Sequence, residues 1–442
     1  MIRIRQTARL YRYARGQARF PFRPREAIAA ERDRRLRETV AFAAARVPHW
    51  RRTFHDAGIA PDAIRTAADL ARLPLLTRLE VQQRSLAFAA DGIAHPDQLV
   101  LLSGGSSAEP LAVRFDLEGL LQSSAHGERE RSIHSRHVGR RFGYRETSVI
   151  SSLSSAVEIQ GRVARATHLP RGISIRRQNL SLVDPVEETA ARIEAFRPDV
   201  IHSYGSWLGE YFRHLDQAGD ALLHRPRVVT FSSDGMADTE RAFVEERFGL
   251  PVYGTYQAIE ALKIGFECEK RDGYHLNDDL YPVRIVDAEG RDVPDGEAGE
   301  VVISNLVNRA TVLLNYRLED LATRTEEPCA CGRTLPRLLA LHGRADDWIV
   351  GPGGRRVHPQ LIRTIFTNEA GIWQYQVTQS APERFAIDIV GDPVEGRPAM
   401  IARITSRLRE SLGPSVDVTI RFVDRLERTP RGKLRPVRSY RT

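Results

Sequence analysis

The chain has 442 residues and a mass of 49.8 kDa, with 42% apolar and 28% charged residues. This composition excludes a mostly disordered chain, and no run of eighteen apolar residues is present to cross a membrane as a helix. The formal charge is +8, but the first 25 residues hold eight arginines and no acid, while the other 417 carry 57 bases and 57 acids. A body without net charge is not expected to bind nucleic acid.

Residues 1–25 read as an Arg-rich arm: a solvated tail, a contact for an acidic partner, or a basic helix at a membrane surface. Residues 26–58 carry apolar positions at helical spacing, broken at Pro48. Two short helices are expected over 61–90, around Leu73-Pro74. Strand, loop and strand follow in DQLVLLSGGSSAEPLAVRFD. Further β-rich runs (DVIHSY, RVVTFSSDG, YPVRIVDAEG, GEVVISNL) alternate with helical patterns such as DPVEETAARIEAF and DTERAFVEERFG. That alternation predicts an α/β core. From Gly343 the pattern restarts as strand, helix, strand, helix, strand, a compact α+β unit of about one hundred residues. The predicted division is therefore an arm (1–25), a large domain of mixed sheets with flanking helices (26–342) and a small C-terminal α+β domain (343–442).

Five short motifs carry chemistry. Ser103-Gly104-Gly105-Ser106-Ser107-Ala108-Glu109-Pro110 follows an apolar strand; small residues let backbone N–H groups curl around an anion, although the same composition also makes a plain turn. Tyr256-Gln257-Ala258-Ile259-Glu260 offers one carboxylate for Mg²⁺, or simply a surface acid. Tyr316-Arg317-Leu318-Glu319-Asp320 and Gly343-Arg344-Ala345-Asp346-Asp347 come next. The last, Arg428-Thr429-Pro430-Arg431-Gly432-Lys433-Leu434-Arg435, is a basic loop or a solvated tail. It holds one of only three lysines, the others being Lys263 and Lys270, in a chain with 65 basic residues. An ammonium is a compact point charge that arginine does not imitate.

In this order the motifs resemble those of the adenylate-forming superfamily, which contains acyl-CoA synthetases, luciferases and adenylation domains. The chain is most similar to the short phenylacetate–CoA ligase branch and its capsule-biosynthesis relatives, over nearly its whole length. The resemblance implies ATP- and Mg²⁺-dependent conversion of a carboxylic acid, expected to be aromatic, to an acyl-adenylate, followed by transfer to CoA. An amine or hydroxyl acceptor, or a non-catalytic nucleotide-binding relative, are the alternatives. It implies that Ser103, Gly104, Gly105, Ser106 and Ser107 wrap the phosphates and that Glu260 holds Mg²⁺. Ser232, Ser233, Asp234 and Tyr256 would border the adenine, and Asp320 and Arg344 would bind the ribose. Asp346 would be the hinge of a mobile small domain and Lys433 the catalytic lysine. His202, Tyr204 and Trp207 would line the acyl pocket. A homodimer is compatible with the resemblance. The chain departs from the family pattern at Ala108, Gln257, Ile259 and Glu319.

All three cysteines, Cys268, Cys329 and Cys331, fall in one window with His275. Three thiolates and an imidazole suit tetrahedral structural Zn²⁺; idle thiols beside an unrelated histidine are the other reading. So few cysteines fit a reducing compartment, and a cytoplasmic location is expected.

Overall fold

The computed structural model describes residues 2–92, 98–103, 111–151, 154–170, 172–219, 224–344, 349–352, 356–357, 362, 365–366, 369, 371–392, 396–429 and 432–440. The Arg-rich stretch is not a solvated tail. Residues Ile2–Ala14 form helix α1, which lies on the body without burying any residue completely. Arg3 donates to the Thr167 carbonyl (2.6 and 3.0 Å), and the Thr7 hydroxyl accepts from the His168 N–H (2.7 Å). Arg9 pairs with Glu118 at 3.4 Å.

Helices α2 (Arg25–Arg46) and α3 (Pro48–Asp56) divide where the sequence predicts, at Pro48, which takes the first turn of α3. Leu36, Val40 and Ala43 share one buried face of α2, and Trp50 and Phe54 one of α3. Between α3 and the first strand, α4 (Arg78–Gln83) is the one α-helix among the described residues, capped by Thr77 and Glu80 in a reciprocal pair. Strands β1 (Leu99–Leu102) and β2 (Ala112–Phe115) form the hairpin expected around the Gly/Ser loop.

The expected α/β architecture is centred on an eleven-stranded mixed sheet. Its parallel half is built from β3 (Arg145–Ile150), β4 (Arg176–Ser181), β5 (Val200–Tyr204), β6 (Val228–Ser232) and β7 (Val252–Ala258). Strand β6 is buried throughout, as parallel strands covered by helices on both faces are. Among the intervening helices are α5 (Leu117–His126), α6 (Glu128–Val138), α7 (Ser155–Ala166), α8 (Val186–Phe196), α9 (Gly205–Gln217) and α10 (Asp238–Phe248). From β7 the sheet turns antiparallel through β8 (Leu262–Glu267) and β9 (Tyr274–Leu276). It ends with β10 (Val283–Val286), β11 (Ala298–Ile303), β12 (Tyr316–Thr325) and β13 (Arg337–Arg344).

The pairing of β11 with β12 shifts register between Glu300/Leu321 and Val302/Arg317, and within that bulge Glu319 has φ +62°. A side chain in the left-handed region costs about 1–2 kcal/mol. Glu319→Gly is therefore expected to raise stability by about 1 kcal/mol, measured by denaturant titration at fixed pH. A loss of stability in that titration would refute the strain argument.

The C-terminal unit has a short ladder, β14 (Ile349–Val350) with β15 (Arg356–Val357). Its main sheet is β16 (Ile372–Ala381), β17 (Arg384–Gly391), β18 (Asp417–Phe422) and β19 (Val437–Arg438), ordered β18-β17-β16-β19. Helix α11 (Arg397–Leu412) buries Met400, Ile404, Leu408 and Leu412, four residues apart, against it. The sequence pattern predicts no strand at 372–381, where Gln374, Gln376 and Gln379 interrupt the apolar residues. Those amides are structural: Gln376 donates to the Glu427 and Arg435 carbonyls, and Gln379 to the Val350 carbonyl at 2.6 Å. Among the described residues no helix is long and apolar enough to cross a membrane.

Candidate active site and metal centre

Several of the motifs separated in sequence are joined by side-chain bonds among the described residues. Ser103 closes the base of the Gly/Ser loop: its N–H donates to the Leu111 carbonyl (2.8 Å) and its Oγ accepts from the Leu111 N–H (2.9 Å). The Arg78 guanidinium also bonds the Ser103 hydroxyl. Gly104, Gly105, Ser106 and Ser107 lie outside the described residues, as does the predicted hinge Asp346.

Two cross-bonds join the second and third motifs. Tyr316 Oη donates to Glu260 Oε1 at 3.1 Å, and Tyr256 Oη donates to Asp320 Oδ2 at 2.6 Å. Asp320 in turn faces Arg344 across the β12–β13 pair. Glu260 is buried, and burial raises its carboxyl; Arg78 opposes that shift. A buried carboxylate suits Mg²⁺, which takes one or two carboxylates plus phosphate oxygens.

The turn after β6 is the next component. Ser233 has φ +74°, a conformation serine adopts only under constraint. Asp234 accepts from the Ser206 hydroxyl (2.6 Å) and from the Leu434 N–H (3.2 Å); burial raises its carboxyl. Gly205 permits this approach, because a Cβ there would lie 2.5 Å from the Gly235 carbonyl oxygen. Leu434 immediately follows Lys433, so the Lys433 loop is held against the turn. Arg428, whose backbone bridges to Leu434, reaches Ser206 Oγ (2.5 Å) and Glu210 (3.1 Å). On the same side, Gln374 donates to the Ser206 carbonyl (2.7 Å) and to Glu240, whose carboxyl burial pushes up to about 8.

The cysteines and His275 also come together. Cys268 follows β8, His275 lies in β9, and Cys329 and Cys331 sit in the turn before β13. Their ligating atoms all lie within 4.8 Å of one another. Cys268 and Cys329 sulfurs are 3.8 Å apart, and Cys331 Sγ is 3.3 Å from His275 Nε2. Sulfurs bound to one tetrahedral Zn²⁺ at about 2.3 Å stand about 3.8 Å apart. The Lys270 and Arg333 N–H groups point at Cys268 and Cys331 sulfurs (both 3.4 Å), as donors to thiolates do. The four residues fit a structural zinc ion.

Known proteins resemble the chain along nearly its whole length. Residues 349–439 match the CapK C-terminal domain. A phenylacetate-coenzyme A ligase of Thermus thermophilus is 25% identical over 95% of this chain and 98% of its own length. That of Escherichia coli is 26% identical over 89% of this chain and 90% of its own. The crystal structure of a 2-hydroxyisobutyryl-CoA ligase in the postadenylation state superposes with a TM-score of 0.73, at 17% identity, covering 93% of this chain and 89% of that one. The fold is that of the adenylate-forming ligases.

Within this fold the remaining predicted residues separate. His202 lies on β5 against β6: its Nδ1 is 2.9 Å from Thr230 Oγ1 and its Nε2 3.3 Å from Ser232 Oγ. Tyr204 ends β5 and is buried. Trp207 is stacked on Tyr211 (centroids 5.1 Å apart) inside the apolar core of the parallel half. Sequence reasoning missed Arg78, which links the Gly/Ser loop to Glu260, and Asn305, whose amide holds the Glu260 carbonyl at 2.8 Å. Nothing in the local pattern around Arg78 separates it from the chain's many other arginines. In sequence Lys263 stands out by rarity and by its place beside the Tyr256–Glu260 motif; its partner, the Glu130 carboxylate, comes from a helix 133 residues away.

Proposed function

We propose that this protein is an acid–thiol ligase that forms an acyl-adenylate from ATP and passes the acyl group to CoA. A carboxylate oxygen bonds to the α-phosphorus, the bond to the β-phosphate oxygen breaks, and pyrophosphate leaves. The CoA sulfur then bonds to the acyl carbon and AMP departs. The observation that carries this reading is the pair of cross-bonds Tyr316–Glu260 and Tyr256–Asp320, with the Lys433 loop tied to Asp234. The first two bonds join the second and third motifs and the last ties the Lys433 loop to the turn after β6, across elements far apart in the chain, which supports this reading.

On this reading Ser103 anchors the phosphate loop and Glu260 holds Mg²⁺, which neutralises phosphate charge. Asp320 with Arg344 takes the ribose, Ser232–Asp234 and Tyr256 border the base, and Lys433 stabilises charge between the two reacting groups. The small domain (343–442) rotates about Asp346 between the half-reactions. Cys268, His275, Cys329 and Cys331 hold Zn²⁺ as a staple between β8, β9 and the turn before β13. An aromatic acid is suggested by the names of the relatives.

The test is acid-dependent pyrophosphate release from ATP and Mg²⁺ across a panel of aryl and aliphatic acids, followed by thioester formation on adding CoA. Release with at least one acid is expected. No release with any acid, in protein that still binds ATP, would favour a non-catalytic nucleotide-binding relative. Release without thioester, with hydroxylamine trapping the acyl group, would assign an amine or hydroxyl acceptor instead.

A further inference from the structure

Helix α1 carries a surface that the adenylation reading does not use. The helix lies on α5 and α7. Gln6, Leu10 and Tyr13 make a half-buried line along it, and Ile4, Ala8, Tyr11 and Arg15, at the same helical spacing, make an exposed one. Ile2, Ile4 and Tyr11 are 78%, 69% and 71% exposed. Three large apolar side chains open to solvent on one helix differ from the single scattered ones common on surfaces. Leu169, which follows the His168 backbone held by Thr7, is exposed as well.

The charge beside that line is of one sign. Of the eight arginines in residues 1–25, Arg9 pairs with Glu118 and Arg25 with Glu326. Among the described residues no acid pairs with the other six, and Arg5, Arg12 and Arg15 are fully at the surface. Exposed Arg165 of α7 follows Ala164, whose carbonyl Arg3 bonds. Glu118, the acid that α1 touches, is already neutralised by Arg9 and bonded by Tyr13 Oη. The side chains that attach the helix, Arg3, Thr7, Arg9 and Tyr13, are therefore not those of the exposed line.

We propose that this face of α1 binds the surface of an anionic lipid bilayer, with the helix lying in the plane of the interface. The arginines meet headgroup charge, while Ile2, Ile4 and Tyr11 enter the boundary between headgroups and acyl chains. Tyrosine suits that depth, with an apolar ring and a polar tip. A second copy of the chain fits poorly, because two sets of unpaired arginines would face each other. Nucleic acid would use the arginines and leave the isoleucines in water, and the remaining 417 residues carry no net charge toward it. Nothing in this contact depends on the adenylation chemistry.

The full chain is sedimented with sucrose-loaded vesicles of phosphatidylcholine, alone or with about one-third phosphatidylglycerol, in about 0.1 M salt. Binding is expected to be about 10-fold or more stronger on the phosphatidylglycerol vesicles and to weaken as salt rises. Arg5→Glu, Arg12→Glu and Arg15→Glu combined should lower it about 100-fold, at about fivefold for each basic charge lost. Ile4→Ser with Tyr11→Ser should lower it about 10-fold. None of these side chains bonds the body among the described residues, and melting curves establish that each variant is folded. Equal sedimentation with both vesicles, or none with either, would overturn the proposal. Unchanged binding by the folded triple arginine variant would overturn it too, as would tighter binding to a DNA duplex at the same salt. A loss with the arginine variant but none with the Ile4 and Tyr11 variant would overturn the insertion of the apolar side chains.

Discussion

Lys433→Ala is expected to lower acid-dependent pyrophosphate release about 100- to 1000-fold, the scale of removing one preorganised charge-stabilising donor. The melting temperature should move little. Lys433 is only half-buried, and its loop is tied by other groups: Thr429 bonds the Lys433 backbone in both directions, and the Leu434 N–H holds Asp234. The variant therefore removes an ammonium and leaves the loop's attachments. Lys433→Arg should fail to rescue the rate, because a broad planar guanidinium does not replace a point charge at the end of a flexible stem. Rates of Lys433→Ala within a factor of three of wild type would remove Lys433 from the mechanism. Affinity for ATP, measured by titration calorimetry, separates a loss of chemistry from a loss of binding.

The second large effect concerns stability. Protein purified without chelator is expected to hold one zinc ion per chain by elemental analysis, and Cys268→Ser should release it and lower the melting temperature by about 10 °C. Structural zinc in small peptides contributes about 10–16 kcal/mol of apparent binding energy, so losing even a third of that exceeds an ordinary core substitution of about 1–3 kcal/mol. The location magnifies the effect. Cys268 and Cys329 belong to a buried cluster with Phe20, Ile28, Tyr144 and Phe266, so the ion would cross-link strands that also anchor the N-terminal segment. Cys331→Ser should act in the same direction but less, since Cys331 is the most exposed of the four. Metal-free protein with an unchanged melting curve would return the three thiols to idle core residues.

The order of the motifs was readable without coordinates, and so was the domain scale, because chemistry-bearing residues sit in short local segments. Glu260 and Tyr256 share one strand and its turn, while Tyr316 and Asp320 share another; each segment announces itself alone. The four candidate zinc ligands were legible for a different reason: a chain with three cysteines in one window restricts the choices. The docking of α1 was not legible, since its hold on Thr167, His168 and Glu118 is made by single polar contacts rather than an apolar stripe. Strand β16 was hidden because its glutamines serve buried carbonyls, and a polar residue inside a strand looks like a loop residue until its partner is known.

Sequence alone determined which residue types are available to bind phosphate, magnesium and zinc, since these depend on local composition and spacing. Tertiary structure alone decided which of them meet. Tyr316 reaches Glu260, Tyr256 reaches Asp320, Arg78 reaches Ser103, and Glu130 reaches Lys263, each across 25 to 133 residues of intervening chain. Such pairings are set by sheet order and helix packing, which bring distant segments within about 3 Å, and no periodicity or propensity of a single segment encodes its partner.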